Sequence, residues 1–289
     1  MPENLKTATK FLAFDTSTDR LSIALTDGAR VWQHSGAGGA QASSTLIPAI
    51  LALLAEAGLQ LGELDAIAFG RGPGSFTGLR TACAVAQGLA FGARHGAGMP
   101  VLPIDTLMAV AEEARYQARG GPHPSRPPEG EGEGAENAES ASKLFVTALL
   151  DARMDEMYVQ SYEFNSGLWT QNLGCELIRP ENLADYLLRM PGTQLLAGNV
   201  FGVYAQRLPA TRARLTCVDA LPTATALLRL APALAAAGHC VDAALALPLY
   251  VRDKVAFTTE ERAATKALAA QALVSPASPA PPSAPDRVN

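Results

Sequence analysis

Short apolar runs alternate with amphipathic stretches along most of the chain. Phe11–Asp15 is apolar and ends in an acid, Thr16–Asp19 is a turn-forming cluster, and Leu21–Leu25 alternates like a half-buried strand. These pieces predict a hairpin with a carboxylate and hydroxyls at its tip. Asp27-Gly28 then turns into a third strand at Val31–His34. Ser43 and Ser44 read as caps of a helix running to about Ala57, with Gly58 as its stop and Pro48 in its first turns. The apolar positions Leu46, Ile47, Ile50, Leu51, Leu53 and Leu54 cover more than one stripe, and Glu56 is the only charge. Two readings follow: a helix buried within one domain, or a helix with part of its face against another protein.

Ala66–Phe69 reads as a buried strand, Gly70-Arg71-Gly72-Pro73-Gly74-Ser75-Phe76-Thr77-Gly78 as a tight loop, and Leu79–Phe91 as a helix with Ser75 or Thr77 as N-cap. Ala82, Ala84, Ala86, Gly88 and Ala90 make that helix one to which another backbone can come close. A glycine-rich turn entering a helix N-terminus fits either an anion site or a purely structural turn. The P-loop order is absent and no lysine stands between Gly70 and Gly98, while Arg71 and Arg80 keep the anion reading open. Asp15 could likewise orient a metal-bound phosphate or cap its own turn.

Farther on, Pro100–Asp105 reads as a strand and Leu107–Arg119 as a helix capped by Thr106. Residues 120–142 are rich in Pro and Glu and predict a flexible acidic insertion. Leu144–Leu150, the turn Asp151–Glu156 and Met157–Tyr162 then repeat the opening pattern of strand, acid-bearing turn and strand, an echo that points to duplicated halves. A strand over 169–178, a helix over 180–190, strands at 194–199 and 214–218, a helix over 223–237 kinked at Pro232, and an extended segment at 246–252 complete the reading. From about Thr259 the chain becomes an Ala- and Pro-rich tail.

The 289 residues and 48% hydrophobic content are ample for a core. A formal charge of −5 argues against unaided binding of nucleic acid. Cys83, Cys175, Cys217 and Cys240 form no Cys-x-x-Cys pair and read as thiols of a reducing compartment. The polar start, Met1–Lys10, lacks a signal core, and no apolar span is of membrane length, so the expected location is the cytoplasm. His34, His95, His123 and His239 are scattered, with no metal-binding His-x-x-x-His pair. Asp15, Asp151 and Asp155 are candidate acids without an evident set of reacting partners. A nucleotide-like scaffold without catalytic groups points to a binding or assembly protein.

Phe11–Thr16, the run Gly70–Arg80, Gln87–Ala90, Asp151-Ala152-Arg153 and Pro248–Arg252 together resemble the TsaB (YeaZ) family. The resemblance covers about Phe11 to Ala256. It implies an α/β fold of the actin-like ATPase (ASKHA, ribonuclease H-like) class, with two lobes, each a mixed sheet flanked by helices. The corresponding layout is a flexible N-terminus over 1–10, an N-terminal lobe over 11–106, a C-terminal lobe over 107–258 interrupted by the acidic insertion at 120–142, and a tail over 259–289.

The family is the dimerisation subunit of the bacterial machinery that makes N6-threonylcarbamoyladenosine at position 37 of tRNAs reading codons that begin with adenine. Membership implies no catalytic residue, metal or cofactor in this chain, and as partners the catalytic paralogue TsaD and the ATPase TsaE. It also implies tRNA contact only through the complex, and without TsaD the apolar helices leave two states open, a monomer or a symmetric homodimer. By analogy, Leu46, Ile50, Leu53 and Leu54 of the first helix and Thr77, Gly78, Ala82, Val85, Ala86 and Leu89 of the second would face TsaD. Arg71, Gly72, Pro73, Gly74, Ser75, Phe76 and Arg80 are the family-motif loop, and Asp15, Thr16 and Ser17 a degenerate nucleotide site. Ala42 and Ser43 stand where many members carry a histidine, and the insertion at 120–142 is long for the family. A stand-alone actin-like ATPase or kinase is the alternative, disfavoured because Asp151-Ala152-Arg153 lacks the glycines a second phosphate loop needs.

Overall fold

The computed structural model describes residues 10–96, 98–120, 143–190, 192–210 and 214–252. The expectations for residues 1–9, for the Pro- and Glu-rich stretch 121–142 and for the tail from 259 lie outside those residues.

Two sheets repeat one plan. In the first, β1 (Phe11–Asp15), β2 (Arg20–Thr26) and β3 (Val31–Ala37) form an antiparallel meander, to which β4 (Ala66–Gly72) and β5 (Val101–Asp105) add in parallel, giving the order β3-β2-β1-β4-β5. In the second, β6 (Leu144–Arg153), β7 (Glu156–Asn165) and β8 (Leu168–Gln171) form the meander. Strands β10 (Leu195–Gly198) and β11 (Thr216–Asp219) then add in parallel on the β6 side. The echo between the two acid-bearing turns is thus an echo of whole topologies. The strand expected over 169–178 is two strands, because β8 pairs with the far end of β7 and β9 (Glu176–Ile178) with its near end. Residues 172–175 step the chain from one register to the other.

Among the described residues six helices cover the sheets: α1 (Ala42–Ala57), α2 (Phe76–Gly92), α3 (Thr106–Ala118), α4 (Leu183–Arg189), the single turn α5 (Val200–Val203) and α6 (Ala224–Ala236). Successive residues of a strand point to opposite faces. Leu12 and Phe14 therefore pack under α1 and α2 while Phe11 and Ala13 pack under α6. Both faces being covered, β1 reads as an unbroken apolar run rather than an alternating one. The second sheet is built alike, with Val146, Ala148 and Leu150 against α3 and Leu149, Leu196 and Val200 on the α4 side.

Helices α3 and α6 lie between the sheets and meet through a buried ionic network. Arg115 and Arg229 each donate to Glu112 at 2.8 Å, Trp169 Nε1 donates to Glu112 at 3.0 Å, and Arg229 and Thr223 donate to Glu113 at 2.7 and 2.8 Å. Burial pushes the Glu112 carboxyl up, but Arg115, Trp169 and Arg229 outweigh it and hold it below its usual range.

Helix ends correct four details, the first being that Asp105, not Thr106, is the N-cap of α3, whose first helical residue is Thr106. Gln41, not Ser43 or Ser44, is the N-cap of α1, and Ser44 and Thr45 turn their hydroxyls back to the Gln41 carbonyl at 3.0 Å. Pro48 is consequently the seventh helical residue, past the orphan N–H groups of the first turn. Ser75 caps α2, whereas Thr77 lies inside the helix. Gly58 ends α1 in the left-handed conformation that glycine adopts without steric cost.

Candidate functional site

Strand β4 delivers the glycine loop against the turn that follows β1. A Cβ added at Gly70 would collide with Asp15 Oδ2, and one added at Gly78 with the Thr16 carbonyl oxygen. Thr16 Oγ1 donates to the Gly78 carbonyl at 2.7 Å and the Ser75 N–H donates to the Ser17 carbonyl at 2.7 Å. The loop and the first turn of α2 thus sit where a phosphate would have to enter. Asp15, Thr16 and Ser17 are 1%, 0% and 2% exposed, so the expected nucleotide-site residues are sealed under the chain's own backbone. Asp15 Oδ1 accepts from the Ser17 N–H and hydroxyl at 2.9 and 2.7 Å, while Oδ2 has no partner. Burial pushes the Asp15 carboxyl from 3.8 up to about 6, against the lowering effect of the Ser17 bonds.

The other candidate acids are also structurally engaged. Asp151 Oδ1 accepts from the Tyr204 hydroxyl at 2.8 Å and from the Arg153 N–H at 2.9 Å, and the Asp151 N–H donates to Asn199 Oδ1. Asp155 pairs with Arg207. Arg71 is taken up by Asp105 at 2.5 Å. Arg80 remains at the surface, where its guanidinium lies 4.1 Å over the Phe76 ring.

Helices α1 and α2 divide differently from the sequence-based expectation. Leu46, Ile50, Leu53 and Leu54 are 0–5% exposed and belong to the chain's own core, as do Ala82 and Ala86. Gly78 is buried against Thr16. These residues hold the helices onto the sheet and have no surface to offer a partner. Val85 and Leu89 are half-buried, and Thr77 is exposed. The open apolar face comprises Ile47, Pro48, Leu51, Ala52 and Ala55 on α1 and Ala84, Gly88 and Phe91 on α2. Ile47 is 41%, Leu51 53% and Phe91 56% exposed. An apolar-all-round helix gives no sequence cue to which of Ile50 and Leu51 faces out. The nearest signal was the lack of charge on the outer side of α1, where Glu56 stands alone.

A cleft of about 400 Å³ opens between the sheets, lined by Arg20 and Ser22 of β2, Ser35, Glu113, Asn199, Asp219 and Thr223. Sequence reading did not find it, since it is assembled from both halves. Among the described residues no group of three or more His, Cys, Asp or Glu side chains could hold a metal ion, and no helix is long and apolar enough to cross a membrane.

Residues 38–127, spanning α1 to α3, match a family model described as TsaD: tRNA N6-adenosine threonylcarbamoyltransferase. A Haemophilus influenzae protein named tRNA threonylcarbamoyladenosine biosynthesis protein TsaB is 33% identical over 84% of this chain and 94% of its own length. The Escherichia coli protein of the same name is 29% identical over 86% and 96%. The solved structure of YeaZ from Pseudomonas aeruginosa is similar over 84% of this chain and 99% of its own, with a TM-score of 0.66 and 36% identity. Strand order, paired halves and these whole-length similarities agree: the chain belongs to the TsaB (YeaZ) family.

Proposed function

We propose that the chain is a non-catalytic subunit required to form N6-threonylcarbamoyladenosine at position 37 of tRNA, binding and supporting the catalytic paralogue TsaD together with the ATPase TsaE. The observation that carries the reading is the open face of α1 and α2, with Ile47, Leu51 and Phe91 exposed beside small residues and Glu56 and Arg80 the only charges of the two helices. A continuous uncharged surface of this kind marks a protein interface. In isolation the same face pairs two copies of the chain. The net charge of −5 accords with tRNA reaching the assembly through its other members.

A second reading, a stand-alone ATPase or kinase, draws on the cleft between the sheets. Against it stands the sealed Asp15 turn, which leaves a phosphate no approach to that carboxylate. Light scattering of the chain alone and mixed with its cognate TsaD, with ATP hydrolysis followed on the same samples, separates the two. The subunit reading expects a new mixed species and no turnover by the chain alone. A chain that ignores TsaD and hydrolyses ATP would instead make the cleft an active site.

A further inference from the structure

Seven of the twelve large apolar side chains exposed among the described residues lie on α1, α2 and the segment 245–250. That segment runs along α2 in the opposite direction. The Ala246 carbonyl accepts from Gln87 Nε2 at 3.0 Å, and the Leu249 N–H donates to the Arg71 carbonyl at 2.7 Å. It thereby widens the α1–α2 face by Leu245, Leu247 and Tyr250, which are 65%, 66% and 45% exposed.

At the α2 N-terminal end of this surface, three side chains lock together. The Phe76 and Tyr250 ring centroids are 5.2 Å apart, Arg80 stacks on Phe76, and Arg80 Nε donates to the Tyr250 hydroxyl at 3.3 Å. Arg80 is the only charged residue of α2. Its two terminal nitrogens have no ion pair or hydrogen bond among the described residues. A guanidinium already fixed by stacking and by one hydrogen bond loses little freedom when its remaining fork is engaged, and that fork matches a carboxylate in bidentate geometry.

We propose that Phe76, Arg80 and Tyr250 form an anchor that reads an Asp or Glu side chain of the protein seated on α1 and α2. The idea rests on the partner reading above and adds the chemistry of one contact. The partner presents an apolar patch with a carboxylate at the edge that meets the start of α2. Arg and Tyr beside an apolar centre are the residue types that dominate interface energetics. A nucleic-acid phosphate would satisfy the same fork, but it would have to approach an apolar surface with this single cation on a chain of net charge −5.

The test measures the Kd of the full chain for its cognate TsaD by isothermal titration calorimetry at about 50 and 300 mM NaCl, the range over which exposed charge contacts are progressively screened. The chains compared are the wild type, Arg80→Ala, Arg80→Lys and Leu51→Asp, with thermal melts confirming that each is folded. Losing a bidentate charge pair at the edge of the interface is expected to raise Kd by about tenfold for Arg80→Ala. The gap should narrow at high salt, and Arg80→Lys should fall between. If Leu51→Asp abolishes binding while Arg80→Ala matches the wild type, the anchor is refuted and the partner face stands. If both bind like the wild type, the partner reading fails and the anchor with it. If Arg80→Ala leaves TsaD affinity intact but abolishes binding of transcribed tRNA to the isolated chain, the site reads phosphate and the proposal is overturned.

Discussion

Asp15→Asn should stabilise this protein at neutral pH and do nothing for it in acid. Asp15 is 1% exposed and its Oδ2 has no partner, so ionising it inside the fold is costly. Its carboxyl is raised from 3.8 to about 6, chiefly by burial. Below pH 3.8 both folded and unfolded chains hold the proton and no penalty exists. Between 3.8 and about 6 the unfolded chain releases it first, so stability falls with rising pH by about 1.4 kcal/mol per pH unit. Above about 6 the loss levels off near 3 kcal/mol.

Replacing the carboxylate by an amide removes that slope, leaving the smaller cost of an orphan NH2 group beside Gly70. The variant should therefore melt at the wild-type temperature, or slightly below it, near pH 3.5, and several degrees above it at pH 7. About 3 kcal/mol corresponds to roughly 6–12 °C for a domain of this size. Paired melts across that range isolate Asp15 from groups of opposite sign such as Glu112, whose depressed carboxyl contributes stability above its unfolded value that is lost as pH falls. Parallel curves for the two proteins would refute the argument that Asp15 is a buried, structural acid.

Gly78→Ala should cost about 3 kcal/mol, because its Cβ meets the Thr16 carbonyl, whereas Gly88→Ala, with nothing within 4 Å, should gain about 0.5–1 kcal/mol; urea titration distinguishes them. Ile50→Asp should unfold the chain and Leu51→Asp should change stability by under about 0.5 kcal/mol, read by circular dichroism, and the reverse order would invert the assignment of the α1 faces. Arg229→Met should cost about 2–3 kcal/mol in the same titration by leaving Glu112 and Glu113 short of a cation, with a steeper acid limb in the wild type than in the variant.

Strand positions were legible because both sheets are covered on both faces, which turns β1, β4 and β6 into apolar runs bounded by Gly, Pro and Asp. The duplication was legible for the same reason, from one turn compared with another. What could not be read was the sidedness of α1. Leu46, Ile50 and Leu51 are chemically alike, and only packing on β2 and β3 decides that the first two are core. The turn holding Asp15 left both a phosphate-orienting and a turn-capping reading open, because Asp, Thr and Ser serve either role. Its burial depends on Gly70 and Gly78 arriving from more than fifty residues away. Tyr250 lies in the Pro248–Arg252 run that carries the resemblance, but its contact with Phe76 and Arg80 was not legible, since those partners are distant in sequence.

The central claim is that this chain contributes a surface rather than chemistry to tRNA modification. The most direct measurement is the yield of N6-threonylcarbamoyladenosine from its cognate TsaD, TsaE, threonylcarbamoyl-adenylate, ATP and unmodified tRNA, with the wild-type chain, with Leu51→Asp, and with no chain added. The account predicts modification with the wild type alone, near-background yield for the other two, and no ATP hydrolysis by the isolated chain. Full yield without the chain, or ATP turnover by the chain alone, would contradict it.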